Sequence, residues 1–287
     1  EIGVRLVGSE MCIRDRAGRQ AVEEAGILPG EIDMILVATG SPDQIFPCTA
    51  CQVQEALGAD GAVGFDLNAA CSGFLFAYNT AQAYIASGIY RTVLVIGSES
   101  ISRLVDWTDR GTCILFGDGA GAVLLQAAEG RTYRPIAHSD GSGGEALTGP
   151  GVRNRIRSID KDGEKTKTEY ITMNGKDVFQ FAVRKVPQVI QEVLEENDLS
   201  VEDIDWFVLH QANARIVDAV ARRLHIGIEK FPMNLQEYGN TSSASVPILL
   251  NELNRNGLLK KGQKLVLAGF GAGLSWGADI LEWDIKG

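Results

Sequence analysis

Three side chains in this sequence have the type and setting for covalent and proton chemistry. Cys71 lies in FDLNAACSGFLFAYNTAQAYIASG: an apolar strand ends at Asp66 and Leu67, small residues follow, and a nearly uncharged helix begins. A helix that apolar is buried all round. A cysteine at its N-terminus feels the positive end of the helix dipole, which favours the nucleophilic thiolate. The flanking Ala69, Ala70, Ser72 and Gly73 leave room for a substrate to approach. A packed core cysteine fits the same facts, since free cysteine is commonly buried. His210, in DWFVLHQANARI, stands where a buried strand runs out, beside Gln211 and Asn213. In α/β sheets the carboxyl ends of strands carry the sites, although a lone histidine is also a common structural residue. Asn240, in EYGNTSSASVP, opens a tight turn into a helix, where asparagine serves equally as a cap.

Other motifs carry less. Cys48 and Cys51 form a lone C-x-x-C without a second pair or nearby histidines, so the pair reads as a buried helix start rather than a zinc or redox site. With Cys12 and Cys113 the cysteines number five, an odd count that reads as free thiols. His138 and His225 are expected at the surface, and three histidines in all leave little for a metal centre. The glycine runs GDGAGA (Gly117 to Ala122) and GFGAGLSWG (Gly269 to Gly277) fit no dinucleotide fingerprint. The first precedes a strand, and the second follows a strand without opening a helix. Backbone N–H donors for an oxyanion are the better reading of the second.

The elements that must position these residues repeat. IDMILVATGS from Ile32 corresponds to IDWFVLHQAN from Ile204, an offset of 172. TVLVIGS from Thr92 and KLVLAGF from Lys264 have the same offset, and so do Asn68 and Asn240. Pseudo-symmetry therefore brings Cys71 and Asn240 together, and it sets His210 against Ala38. Near-continuous Ile/Val/Leu strands belong to parallel sheets covered on both faces. Helical periodicity runs through 178–196 and 214–224. The expected fold is α/β, two duplicated halves: 17–172 with the cysteine and 173–287 with the histidine and asparagine.

Residues 1–16 stand apart. The run VGSEMCIRDR (7–16) lacks a clean apolar face and resembles translated sequencing-adapter read-through. It sits where the repeat places a helix like 175–197, and the strand expected ahead of that helix would precede residue 1. The reading is a foreign segment with the first strand of the first half missing. A genuine divergent terminus is the alternative, since terminal segments vary freely.

Charge and composition bound the partners. The chain has 287 residues and a net charge of −10, which argues against a general nucleic-acid or membrane binder while allowing a local basic patch. No apolar run approaches the roughly 18 residues of a membrane span. No basic segment followed by an apolar stretch opens the chain, so the cytoplasm is the expected compartment.

Taken together, AACSGF, HQANARI, YGNTSSASVP, DRGT (109–112), FGDGAGA and GFGAGLSWG resemble β-ketoacyl-acyl-carrier-protein synthase III of the thiolase-like superfamily, from about Arg19 to the C-terminus. The resemblance implies a thiolase-like fold, a homodimer, and ping-pong condensation of an acyl-CoA starter with malonyl-acyl-carrier protein, without metal or organic cofactor. It makes Cys71, His210 and Asn240 the catalytic triad, with the backbone N–H groups of Cys71 and Ala272 as oxyanion donors. Ala272 stands where the family commonly has glycine. By the same resemblance Phe46 crosses the dimer interface to close the partner's acyl pocket, and Phe116, Leu147, Phe179 and Phe270 line or gate the pocket. Arg110, Asn213 and Gly175 follow the pantetheine tunnel. Arg215, Arg222 and Arg223 dock the acidic carrier protein; a solvated helix face is the plainer reading of those arginines. The family's adenine-contacting tryptophan and arginine belong to the segment that residues 1–16 displace. The alternatives are a synthase-III-like acyltransferase of secondary metabolism and a truncated, catalytically impaired homologue.

Overall fold

The structure is a computed structural model that describes residues 10–130, 132–151 and 170–284. Its first sheet is built from β1 (Met34–Ala38), β2 (Val63–Leu67), β3 (Thr92–Ser100) and β4 (Asp118–Gln126), in the order β2-β1-β3-β4. The first three strands run parallel, and β4 returns antiparallel to β3. Every residue of β1 and β3 is buried, which is why MILVA of β1 and VLVI of β3 read as apolar runs. The second sheet contains β5 (Ile136–Ser139), β8 (Trp206–Leu209), β9 (Lys264–Gly271) and β10 (Ser275–Glu282), in the order β5-β10-β9-β8. A short hairpin, β6 (Leu147–Thr148) with β7 (Thr172–Met173), stands apart from both.

Helices make three further layers. Between the sheets lie α3 (Gly73–Ala86) and α7 (Ser245–Arg255), whose Phe74, Leu75, Ala77, Leu249 and Leu250 share one core with β1, β3, β8 and β9. Outside the first sheet pack α1 (Glu10–Ala25) and α2 (Thr49–Leu57). Outside the second pack α4 (Gly175–Glu196) and α5 (Ala214–Leu224), with a single turn, α6 (Leu235–Tyr238), ahead of α7. Close backbone contact ties the halves together. A Cβ on Gly97 of β3 would fall 2.4 Å from the carbonyl oxygen of Ser243, so only glycine fits there.

The offset of 172 holds in the architecture from β1 and β8 through β3 and β9. Even side-chain bonds repeat. Asp33 accepts the Thr92 amide at 2.9 Å, and Asp205 accepts the Lys264 amide at 2.9 Å. The register then breaks, because residues 101–117 lie between β3 and β4 where only a tight turn joins β9 to β10.

The division at 172 and 173 would leave β5 in the first half, yet β5 pairs antiparallel with β10, so the second sheet starts at Ile136. Within the run 7–16, residues 10–16 belong to α1. Residues 1–9 and the strand expected ahead of α1 lie outside the described residues. Within α1, Arg14 is fully buried where the repeat has the buried Val186. Its Nη2 reaches Gln52 Oε1 at 2.6 Å and its Nε reaches Asp15 at 3.3 Å, while Nη1 has no hydrogen-bond partner among the described residues.

Candidate active site

The chain turns into α3 and α7 by the same device. After β2, Asn68 Oδ1 accepts the amide of Ala70, and Ala70 adopts a positive φ of 47°. A 3-10 turn over Ala70–Ser72 then carries Cys71 into α3. Likewise Asn240 Oδ1 accepts the amide of Ser242, whose φ is 51°, ahead of the turn Ser242–Ala244. Backbone strain of this kind in non-glycine residues persists where surroundings over-determine it, often at functional sites.

Elements of both halves close over these turns. A Cβ on Gly271, at the end of β9, would fall 2.8 Å from Cys71 Cβ. Ser72 Oγ lies 2.8 Å from Ser275 Oγ of β10. Leu115 and Gly117, from the inserted 101–117, bind Asn240 through backbone hydrogen bonds of 2.8 and 2.9 Å. His210 follows β8, and its amide bonds to the carbonyl of Ala268 on β9 at 2.8 Å.

A cavity of about 440 Å³ results, lined by Cys71, His210 and Asn240 together. Phe116, Leu147, Gly175, Phe179, Asn213, Arg215 and Phe270 also line it. The ring of His210 meets Phe270 edge-on at 5.1 Å. Gly271 lines the cavity, and Ala272 follows it half-buried in the β9–β10 turn. Four further residues singled out in the sequence lie outside this lining: Phe46 is 81% exposed, Arg110 is exposed beside the lining Gly111, and Arg222 and Arg223 are exposed on α5. Sequence reasoning missed Met173 and Lys176 in the lining; neither motif nor periodicity marks them.

It also missed Glu99, at the end of β3, which is fully buried behind the nucleophile. Its carboxylate accepts the Gly40 amide at 3.1 Å, Ser41 Oγ at 2.6 Å and Ser242 Oγ at 2.9 Å; Ser243 Oγ lies 3.1 Å away. The one available signal was an acid near the end of a strand that opens on the apolar run VLVI. Glu99 bears on the expected thiolate. Burial pushes the Cys71 thiol up to about 11, with the Glu99 carboxylate adding to the rise and a hydrogen bond with Ser242 opposing it. A helix dipole works the other way, by at most about 2 kcal/mol, so burial opposes the thiolate that the helix N-terminus favours. Burial also lowers His210 to about 3, leaving its imidazole neutral.

The cysteine pair is not a buried helix start: Cys48 caps α2 half-buried, Cys51 is exposed, and their sulfurs are 3.3 Å apart. His138 pairs with Glu192 at 2.7 Å, and His225 ends α5, exposed. Among the described residues no cluster of acidic, cysteine and histidine side chains could hold a metal ion. Among them, too, no helix is long and apolar enough to cross a membrane.

Known proteins resemble this chain over most of its length. The family signature of 3-oxoacyl-[acyl-carrier-protein (ACP)] synthase III matches residues 65–142, and that of its C-terminal part matches 194–283. A β-ketoacyl-[acyl-carrier-protein] synthase III of Clostridium acetobutylicum is 48% identical over 269 residues, covering 93% of this chain and 82% of the relative. One from Trichodesmium erythraeum is 49% identical over 271 residues, covering 94% and 82%. The crystal structure of 3-oxoacyl-[acyl-carrier-protein] synthase III from Aquifex aeolicus VF5 superposes with a TM-score of 0.88 at 40% identity, covering 96% of this chain and 85% of that one, which makes the fold thiolase-like. With signatures over both halves and close relatives across most of its length, the chain belongs to the β-ketoacyl-[acyl-carrier-protein] synthase III family, the condensing acyltransferases that initiate fatty-acid biosynthesis.

Proposed function

We propose that this chain condenses an acyl-CoA with malonyl-acyl-carrier protein through Cys71, His210 and Asn240. The observation that carries the reading is that these three residues, drawn from both halves, line one cavity. Cys71 Sγ, once deprotonated, attacks the thioester carbonyl of acyl-CoA. The coenzyme A thiolate leaves and an acyl-Cys71 thioester forms, splitting a difficult condensation into two steps. The N–H groups of Cys71 and Ala272 hold the oxyanion.

Malonyl-carrier protein then enters. Asn240 Oδ1 is committed to the Ser242 amide, which leaves its Nδ2–H groups as donors. His210 and Asn240 donate to the malonyl thioester oxygen and stabilise the enolate that forms as carbon dioxide leaves. The carbanion attacks acyl-Cys71, and the thiolate is expelled with formation of a 3-oxoacyl thioester. No step requires a metal or an organic cofactor.

Lys176 and Arg215 are exposed at the cavity lining and suit the phosphates of both thioester carriers. Arg215, Arg222 and Arg223 lie on α5, where they would receive an acidic carrier protein; Arg110 and Asn213 attend the pantetheine arm. A homodimer in the cytoplasm completes the reading. The dimer is supported by exposed Ile45 and Phe46 and by Val63 on the open edge strand β2.

The test separates the half-reactions. Cys71→Ser should show no acyl-enzyme mass shift with acyl-CoA. His210→Ala and Asn240→Ala should still load, yet lose malonyl decarboxylation by about 10²-fold or more. Equal loss in both half-reactions would remove the assigned division of labour.

A further inference from the structure

A neutral imidazole carries one proton, and only the nitrogen that bears it can donate. His210 Nδ1 lies 2.7 Å from Ser245 Oγ, at the first residue of α7, which leaves Nε2 for the cavity. The hydroxyl of Ser245 therefore decides whether the cavity meets a donor or an acceptor.

That hydroxyl has one proton and two acceptors within reach: His210 Nδ1 at 2.7 Å and the Ser242 carbonyl at 2.9 Å. The Gln211 amide approaches the same oxygen at 3.3 Å as a donor. The Ser242 carbonyl already receives the amide of Ser245. Hydroxyl donors typically lie about 2.7–2.8 Å from their acceptors and N–H donors about 2.9–3.0 Å. At 2.7 Å the contact is at the short limit for Nδ1–H donating to oxygen and at the usual length for a hydroxyl donor, and Nδ1 is the nearer of the hydroxyl's two acceptors, the other being already bonded to an amide.

The duplication adds an independent observation. The counterparts of His210 and Ser245 in the first half are Ala38 and Gly73. There the two positions are neighbours too, since a Cβ on Gly73 would fall 3.3 Å from Ala38 Cβ. The turn and helix form there without a hydroxyl. The hydroxyl appears only where the facing residue is the imidazole.

We infer that Ser245 is a positioning residue for the condensation: it donates its hydroxyl proton to His210 Nδ1 and so holds the imidazole in the Nε2–H form that can donate to the malonyl thioester oxygen. The catalytic half of this statement rests on the function proposed above, whereas the tautomer does not.

The experiment is ¹⁵N–¹H correlation of histidine-labelled full-length protein near pH 7, with His210 assigned by comparison against His210→Asn. His210 should be the Nε2–H tautomer in the wild type and a mixture of tautomers in Ser245→Ala. In the same variant, malonyl decarboxylation should fall about 10- to 100-fold, with acylation of Cys71 by acyl-CoA unchanged within about twofold. Ser245→Thr, which keeps the hydroxyl, should restore the tautomer and most of the rate. An Nδ1–H tautomer in the wild type overturns the inference without any variant, as does a Ser245→Ala spectrum identical to the wild type. A tautomer that shifts while decarboxylation is unaffected would leave Ser245 setting the proton and would instead overturn the catalytic role of His210.

Discussion

Ala70 and Ser242 are one turn residue used twice: each sits at positive φ, 47° and 51°, and each gives its amide to an asparagine two residues earlier. In the first half the turn delivers the nucleophile that follows it. In the second it holds the asparagine side chain itself, oxygen inward and amide group free to work.

This predicts the behaviour of Asn240→Asp. A carboxylate still accepts the Ser242 amide, so the melting temperature should stay within a few degrees of the wild type. The N–H donor is gone, and decarboxylation should drop by about 10²-fold or more. Asn240→Ala should lose both turn and donor. Calorimetry alongside a decarboxylation assay checks the pair; an active Asn240→Asp would mean Nδ2 does not touch the reaction.

A thiol raised to about 11 has a kinetic signature. Alkylation of Cys71 by iodoacetamide, followed on its own peptide by mass spectrometry, should be slow at pH 7. It should climb with pH through 9 without a plateau. A plateau starting near pH 7 would show that the N-terminus of α3 outweighs burial after all.

Arg14 is the second target. It carries a charge at 0% exposure, and one of its guanidinium nitrogens has no hydrogen-bond partner among the described residues. The Asp15 carboxyl beside it is raised by burial despite the arginine. Replacing both members of a buried ion pair with apolar residues is commonly neutral or stabilising, by up to about 4 kcal/mol, whereas removing one alone leaves the other unpaired. Arg14→Val, which copies Val186, combined with Asp15→Ala should therefore raise the urea midpoint. A clear fall would show that the contact with Gln52 matters more than desolvation.

Asp279, fully buried on β10, has its carboxyl pushed up to about 8 by burial, opposed by the Ile280 amide. The folded state then holds a proton that the unfolded chain, with its pKa near 3.8, gives up. Its contribution to stability is full below about pH 4, declines as pH rises toward 8 and is level above. Asp279→Asn cannot titrate. Its stability relative to the wild type should increase steadily from pH 5 to 8 in parallel melting curves. A constant difference across that range would show that Asp279 stays ionised in the fold.

Much of the site was legible in the sequence because its residues stand at positions defined by local pattern. Cys71 follows a strand and opens an apolar helix, His210 ends a strand, and Asn240 begins a turn; a fixed offset of 172 relates their frames. Periodicity and turn chemistry act over a few residues, so a linear reading reaches them. The tertiary structure alone decided what surrounds them. Glu99 meets Ser242 across 143 positions of sequence, and Ser245 meets His210 across 35. Neither pairing has a local signature. The sheet to which β5 belongs depended on its partner β10, not on any feature of its own four residues. The state of Cys71 turned on the same distinction. A helix N-terminus favours the thiolate and can be read from the sequence, but desolvation and the Glu99 charge oppose it. Those terms depend on what packs around the sulfur, which exists only once both halves have closed over it.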